Sequence, residues 1–248
     1  MPTANELIGT WRVTGFQEWG SGGAGQHPLG QDPVGYAVFD APGRIFIQLS
    51  RNPNDGGSAT EIGGSFIAYF GTFQVSGDQL TVAIETANGA HDVASTQTRT
   101  IGLDRDTLSI GIPGRFMATL QRVEPASGSS PLTGAWRVQS FSRFSKDGAT
   151  SEPLGRPPAG FAVFDPTGRA FVQLGKAAAS GSAEEVAKSL MAYFGPCSTA
   201  GDTLRVVVES SNMPAYVGST QTRTFSIDGD ILKIGTPGEY QAVCRRAR

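Results

Sequence analysis

The chain has 248 residues, enough for one large domain or two ordinary ones. Its formal net charge of −2, with no run of basic residues, excludes the electrostatic footprint of a nucleic-acid binder and of a protein held on an anionic membrane surface. No apolar stretch approaches the ~20 residues of a membrane span, and the polar start Met-Pro-Thr-Ala-Asn-Glu has no apolar signal core, so a cytoplasmic location is expected. Only Cys197 and Cys244 could pair; with no cysteine in the first half of the chain they read as reduced thiols, a local bridge staying open.

In chain order, residues 9–19 are rich in β-formers and read as a first strand. The glycine-rich segment 20–27 follows. No helical pattern comes after it, so it reads as a loop at a barrel mouth rather than a phosphate cradle. Residues 34–40 and 44–49 form a hairpin that turns at Pro42-Gly43. Ser58-Ala-Thr-Glu61 has the form of a capping box and predicts a short helix, which Gly63-Gly64 should shorten or distort. Strands are then expected at 67–75, 79–86, 95–103, 107–112 and 115–123. That makes eight, nearly all joined by hairpin-length turns.

The same series occurs twice. Leu7-x-Gly-x-Trp11-Arg-Val recurs as Leu132-x-Gly-x-Trp136-Arg-Val, and Ala37-Val-Phe-Asp40 as Ala162-Val-Phe-Asp165, each 125 positions on. Ala68-Tyr-Phe-Gly71 recurs as Ala192-Tyr-Phe-Gly195, and Ser95-Thr-Gln-Thr-Arg-Thr100 letter for letter as 219–224, now 124 positions on. Such self-similarity decides the architecture. The expected fold is all-β: two tandem eight-stranded antiparallel up-and-down β-barrels, each with one short helix, spanning 1–123 and 132–248 around a Pro/Gly/Ser linker at 124–131. A split sandwich is the second choice. In the second copy Ser182-Ala-Glu-Glu185 repeats the capping box, and Pro196 is expected to bulge or displace the strand it interrupts.

Gly9-Thr-Trp11-Arg12, the Pro28-Leu-Gly30 and Gly35-Tyr36 segments, the turn leading to Gln48-Leu49, Ala68-Tyr-Phe-Gly71 and Gln97-x-Arg99 occur in the order found in the bacterial and fungal lipocalin-like domain family. Both copies resemble it over nearly the whole chain. The resemblance implies a barrel that binds a small apolar molecule, with an arginine at the end of the last strand packed over the first-strand tryptophan. Arg122 and Arg245 are placed to do so. Related barrels act as cofactor-free cyclases or isomerases. The family often carries histidine in the strand before its acidic position, and this chain departs from that: Val82–Ile84 and Val206–Val208 are apolar.

The residues narrow the chemistry. His27 and His91 are the only histidines, and no His-x-His, His-Glu-x-x-His or Cys-x-x-Cys spacing exists, so neither a metal nor another cofactor is expected. The second copy has Met213-Pro-Ala-Tyr216 where the first has Gly89-Ala-His-Asp92. Arg44, Phe46 and Gln48 share one strand face, Ile45, Ile47 and Leu49 the other. If the first face meets the lumen, Gln48 and its counterpart Gln173 would bind a ligand carbonyl; otherwise they face outward or satisfy backbone. Glu85 and Glu209 fall on the strand beside Gln97, Arg99, Gln221 and Arg223. A Glu–Arg pair there would be either a structural ion pair or a catalytic acid–base and oxyanion-stabilising set. Tyr69 and Tyr193 would donate a phenol to a ligand or fill the core. Three functions remain: a carrier of a small, mostly apolar molecule, a metal-free and cofactor-free isomerase or cyclase acting on a polyketide-like carbonyl compound, or an interaction module with filled barrels. At most one barrel is expected to be active.

Overall fold

The computed structural model describes residues 2–20, 23, 25–126 and 130–247. Parts of the expected mouth loop (21, 22 and 24) and of the expected linker (127–129) therefore lie outside the described residues. The first copy runs through α1 (Ala4–Leu7), β1 (Gly9–Trp19), a two-residue β2 (Gly25–Gln26), β3 (Val34–Phe39), β4 (Arg44–Ser50), α2 (Ala59–Ser65), β5 (Ile67–Ser76), β6 (Gln79–Ala87), β7 (Thr96–Asp104), β8 (Thr107–Ile112) and β9 (Phe116–Val123). The second repeats this as β10 (Gly134–Phe144), β11 (Thr150–Ser151), β12 (Ala159–Phe164), β13 (Arg169–Gly175), α3 (Ala183–Ser189), β14 (Met191–Ala200), β15 (Thr203–Val207), β16 (Ser210–Ser211), β17 (Thr220–Asp228), β18 (Ile231–Thr236) and β19 (Tyr240–Arg246). Each copy closes on itself, β1 with β9 and β10 with β19, giving two 8-stranded antiparallel barrels. Closure leaves no long unpaired edge. No described helix is long and apolar enough to cross a membrane.

Each barrel is plugged at one end by its tryptophan. Trp11 and Trp136 are fully buried, and their indole N–H groups donate to Leu7 O at 2.8 Å and Leu132 O at 2.7 Å. The Arg122 guanidinium lies 4.1 Å from the Trp11 ring, and Arg246 lies 4.0 Å from Trp136. These are cation–π contacts that also tie down the incoming chain through Ile8 O and Thr133 O. The arginine of the second barrel is thus Arg246, not Arg245, because alternation turns the adjacent residue to the other face.

The two helices are equally long, contrary to the expectation that Gly63-Gly64 would shorten the first. Both are fixed by their capping boxes: Ser58 N–H donates to Glu61 Oε2 at 2.8 Å, as Ser182 N–H does to Glu185. Tertiary packing does the rest. A Cβ on Gly63 would stand 3.3 Å from Asn212 O and from Pro214 of the other barrel, so glycine is what lets α2 seat against that turn.

The β5–β6 ladder slips between Phe70 and Gly71, leaving Glu85 as the extra residue of a bulge. In the second copy the same slip divides the strand into β15 and β16, with Glu209 between them. Gly71 and Gly195 make the slip possible, since a Cβ there would lie 2.0 Å from Ala83 O and 1.9 Å from Val207 O. Pro196 does not break its own strand: β14 is continuous and pairs Pro196 with Arg169 on one side. Its missing N–H falls where the partner on the other side is interrupted, so no ladder bond is lost.

The barrels pack on each other through the outer faces of β3, β4 and β5 and of β12, β13 and β14. Tyr36, Phe46 and Phe70 of the first meet Phe161, Phe171 and Phe194 of the second in a buried aromatic cluster, with Phe46–Phe161 centroids 5.1 Å apart and Tyr36–Phe171 5.5 Å. This corrects the lumen orientation expected for the Arg-Phe-Gln face. Gln48 Nε2 donates to Val172 O of the second barrel at 3.1 Å, and Gln173 Nε2 donates to Ile47 O at 3.1 Å and Tyr69 O at 3.3 Å of the first. Both glutamines are 1% exposed and lie in the seam. Removing Gln173 as Ala is expected to cost ~1–3 kcal/mol, the penalty for stranding buried carbonyls, read from urea unfolding. Affinity for a ligand in either lumen should stay within about twofold; a large affinity loss at unchanged stability would restore a lumen role.

Candidate functional site in the first barrel

Alternation on the strands sends Val13, Ile47, Leu49, Ile110 and Leu120 into the first lumen, where they bound a cavity of about 500 Å³. That is within the roughly 300–1,000 Å³ of small-molecule sites. The second lumen holds only about 100 Å³. The difference traces to the turn after β6 and its counterpart after β16. Tyr216 stands at the position of Asp92 and packs against Tyr193 with ring centroids 5.6 Å apart, and Met213 lines the same space where the first copy has Gly89. Side chains have taken the volume that the first barrel leaves open.

One side of the open cavity is polar. Tyr69 on β5, Gln97 and Arg99 on β7, and His91 and Asp92 on the turn all line it. They form a chain: Gln97 Oε1 accepts from Arg99 Nη2, Gln97 Nε2 donates to Asp92 Oδ1, and His91 Nε2 stands 3.0 Å from the same carboxylate oxygen. The Arg99 guanidinium rests on the Phe116 ring, 5.1 Å from its centroid, and Phe116 stacks on Phe16. Burial pushes the Tyr69 phenol up to about 12, the Arg99 charge offsetting part of the effect; it is a neutral O–H donor at ordinary pH. Arg99 and Tyr69 thus offer two donors to a ligand oxygen above an apolar chamber whose lining also holds two carboxylates, Asp92 in the chain with Arg99 and the exposed Glu18.

The second copy assembles less. Arg223 and Tyr193 line the small lumen. Arg223 lies over Tyr240 and donates to Gln221 Oε1 at 2.6 Å, and Gln221 Nε2 turns to Ser219 Oγ at 2.7 Å. The expected Glu–Arg pairs within each hairpin are not formed. Glu85 takes Arg137 of the other barrel at 2.9 and 2.5 Å, and Glu209 takes Arg169 at 2.6 Å. The bulge that each glutamate occupies turns it out of the lumen. The acid of the cluster is Asp92. Its signal in the sequence was the contrast between Gly89-Ala-His-Asp92 and Met213-Pro-Ala-Tyr216. Among the described residues, no three His, Cys, Asp or Glu side chains gather as metal ligands would.

A family model described as a lipocalin-like domain matches residues 8–128 and again 133–243. The chain belongs to the lipocalin-like domain family. A comparison with curated proteins gives no match. The first barrel holds the larger lumen, about 500 Å³, and the second the same frame narrowed to about 100 Å³.

Burial also holds the protons of Tyr36 and Tyr193 up to about 12, Cys244 to about 12 and Cys197 to about 11. Groups that keep their protons more tightly folded than unfolded contribute fully below their unfolded values, near 10 for tyrosine and 9 for cysteine. That contribution is lost as pH rises through the folded values. The urea midpoint should therefore be level from neutral pH to about pH 9 and fall steadily from about pH 9 to 12, with a shallower fall in Tyr69→Phe. A midpoint constant to about pH 11 would contradict this burial.

Proposed function

We propose that the protein binds one small, mostly apolar organic molecule in the first barrel, its carbonyl or other oxygen held by Arg99 and Tyr69, and that the second barrel is a scaffold. The observation that carries this reading is the contrast between a hollow lumen with a polar side and a lumen of the same design filled by Tyr216 and Met213. Gln97 serves as the link that orients Arg99 and joins it to Asp92. Gln48, Gln173 and Gln221 have structural partners and take no part in this reading.

The enzymatic alternative has one observation in its favour: Asp92 shares the rim network of Arg99 beside the neutral Tyr69 phenol. In a metal-free, cofactor-free isomerisation Asp92 would take a proton from the carbon next to a carbonyl, while Arg99 and Tyr69 stabilised the enolate oxygen. Arg99 therefore keeps its proposed role, whereas Glu85, Glu209 and Arg223 lose theirs.

Titration with the apolar ketone 1-tetralone tests both readings. Binding is expected with one site per chain. Ile110→Trp, which fills the first lumen, should weaken it at least about tenfold, and the equivalent Ile234→Trp should leave it unchanged. Two sites per chain, or equal losses from both variants, would overturn the assignment to the first barrel. If the site is catalytic, bound tetralone takes up deuterium from D2O at its α-carbon and Asp92→Asn stops the uptake without loss of binding; no uptake above the buffer rate leaves the carrier reading.

A further inference from the structure

Between the barrels lies a groove of about 470 Å³ that shares only Tyr36 with the lining of the first lumen and no residue with that of the second. Tyr36 of β3 forms part of its lining with Arg12 of β1, and the second barrel contributes Arg169, Val207 and Glu209. Tyr36 is 5% exposed, and its ring is clamped by the Arg169 guanidinium at 4.6 Å and by the edges of Phe171 and Phe194, each at 5.5 Å. Its hydroxyl makes no hydrogen bond among the described residues. The charges this hydroxyl senses are those of Arg169, Glu209, Arg12 and Asp165. Arg12, Arg169 and Glu209 line the groove together with Tyr36. Among the described residues the enclosed side-chain atoms without a partner are those of Gln48, Thr86 and Gln173, so the Tyr36 hydroxyl meets solvent, which a ligand oxygen would displace.

The duplication supplies an internal comparison. At the equivalent positions across the seam, Phe161 replaces Tyr36, Pro157 replaces Asp32, Ala177 replaces Asn52 and Ala179 replaces Asn54. All four of the polar residues line this groove. The arginines differ in the same sense. Arg137 grips Glu85 with both terminal nitrogens, but the acid that would answer Arg12 is Glu209, and Arg169 already holds it at 2.6 Å. Arg12 is left with no ion pair among the described residues. The equivalent side of the seam carries apolar residues and the Arg137–Glu85 ion pair, and this side carries the exposed Arg12 and the Tyr36 hydroxyl, neither with a partner among the described residues.

We propose that this inter-barrel groove is a second ligand site, and that it takes a small organic monocarboxylate: the head between the Arg12 guanidinium and the Tyr36 hydroxyl, the apolar body against Val207 and Pro33. The lining carries two arginines and two carboxylates: Arg169 is held by Glu209, and Arg12 is the guanidinium left without an ion pair among the described residues, so it can answer one carboxylate head while Asp32 and Glu209 repel a doubly charged anion. Val207 is 47% exposed, one of the few large apolar side chains left open to solvent, and a ligand body would cover it.

The test is a benzoate titration of the full chain followed by NMR, with benzamide as the neutral isostere. Saturable shifts of the Val207 methyls and the Arg12 side chain are expected with benzoate and not with benzamide. Arg12→Gln should weaken binding about tenfold and Tyr36→Phe about fivefold or more. Tyr36→Phe should leave the fold intact, since Phe161 occupies the matching position. Ile110→Trp, which plugs the first lumen, should change nothing. The proposal is overturned by shifts confined to lumen residues and lost in Ile110→Trp, by equal binding of benzamide, by an unaffected Tyr36→Phe, or by no saturation at about 20 mM.

Discussion

The seam between the barrels is the constraint from which the rest of the structure follows. Each barrel turns outward a sheet face of Phe, Tyr, Val and Ala that water would not tolerate, and duplication in one chain lets each cover the other. Apolar burial supplies the driving force, while Gln48 and Gln173 set the geometry, each reaching a strand carbonyl of the opposite barrel. Their Oε1 atoms are buried with no partner among the described residues, so the amides carry a cost alongside their bonds. Contacts are reciprocal: α2 packs on the turn at 214–216, and α3 on the turn at 90–92.

That reciprocity explains how two copies of one design came to differ inside while matching outside. The seam has to be self-complementary, so its centre is the same in both copies, Phe46, Gln48 and Phe70 recurring as Phe171, Gln173 and Phe194, while its rim differs at Tyr36 and Phe161; the lumens answer to nothing across it. Tyr216 in place of Asp92 and Met213 in place of Gly89 narrow the second chamber. The filled barrel still matters to the hollow one, because its helix α3 supports the turn that carries Asp92.

Much of this was legible in the sequence. Eight strands per copy follow from period-two patterning and turn residues, and α2 and α3 from Ser-x-x-Glu; the arginine over each tryptophan follows from the family resemblance, one position off in the second copy. The inside of the barrel was not. Arg44-Phe46-Gln48 and Ile45-Ile47-Leu49 are both buried faces, one in the seam and one in the lumen, and a strand covered on both sides carries no label for which side is in. The closer repetition of the Arg-Phe-Gln face reflects the demand of the seam, not of a ligand. Glu85 and Glu209 were misread because a bulge reverses the alternation, and its one trace in the sequence is a glycine on the neighbouring strand, Gly71 or Gly195. Asp92 was visible only as a difference between copies.

The central claim is that one barrel is a container and the other a frame. The most direct measurement is a crystal of the full chain soaked with a brominated aryl ketone and read by bromine anomalous scattering. The account predicts a peak inside the first barrel, between Tyr69 and Ile110, and none inside the second. A peak within the second lumen, or none in the first at a concentration that saturates binding in solution, would contradict it.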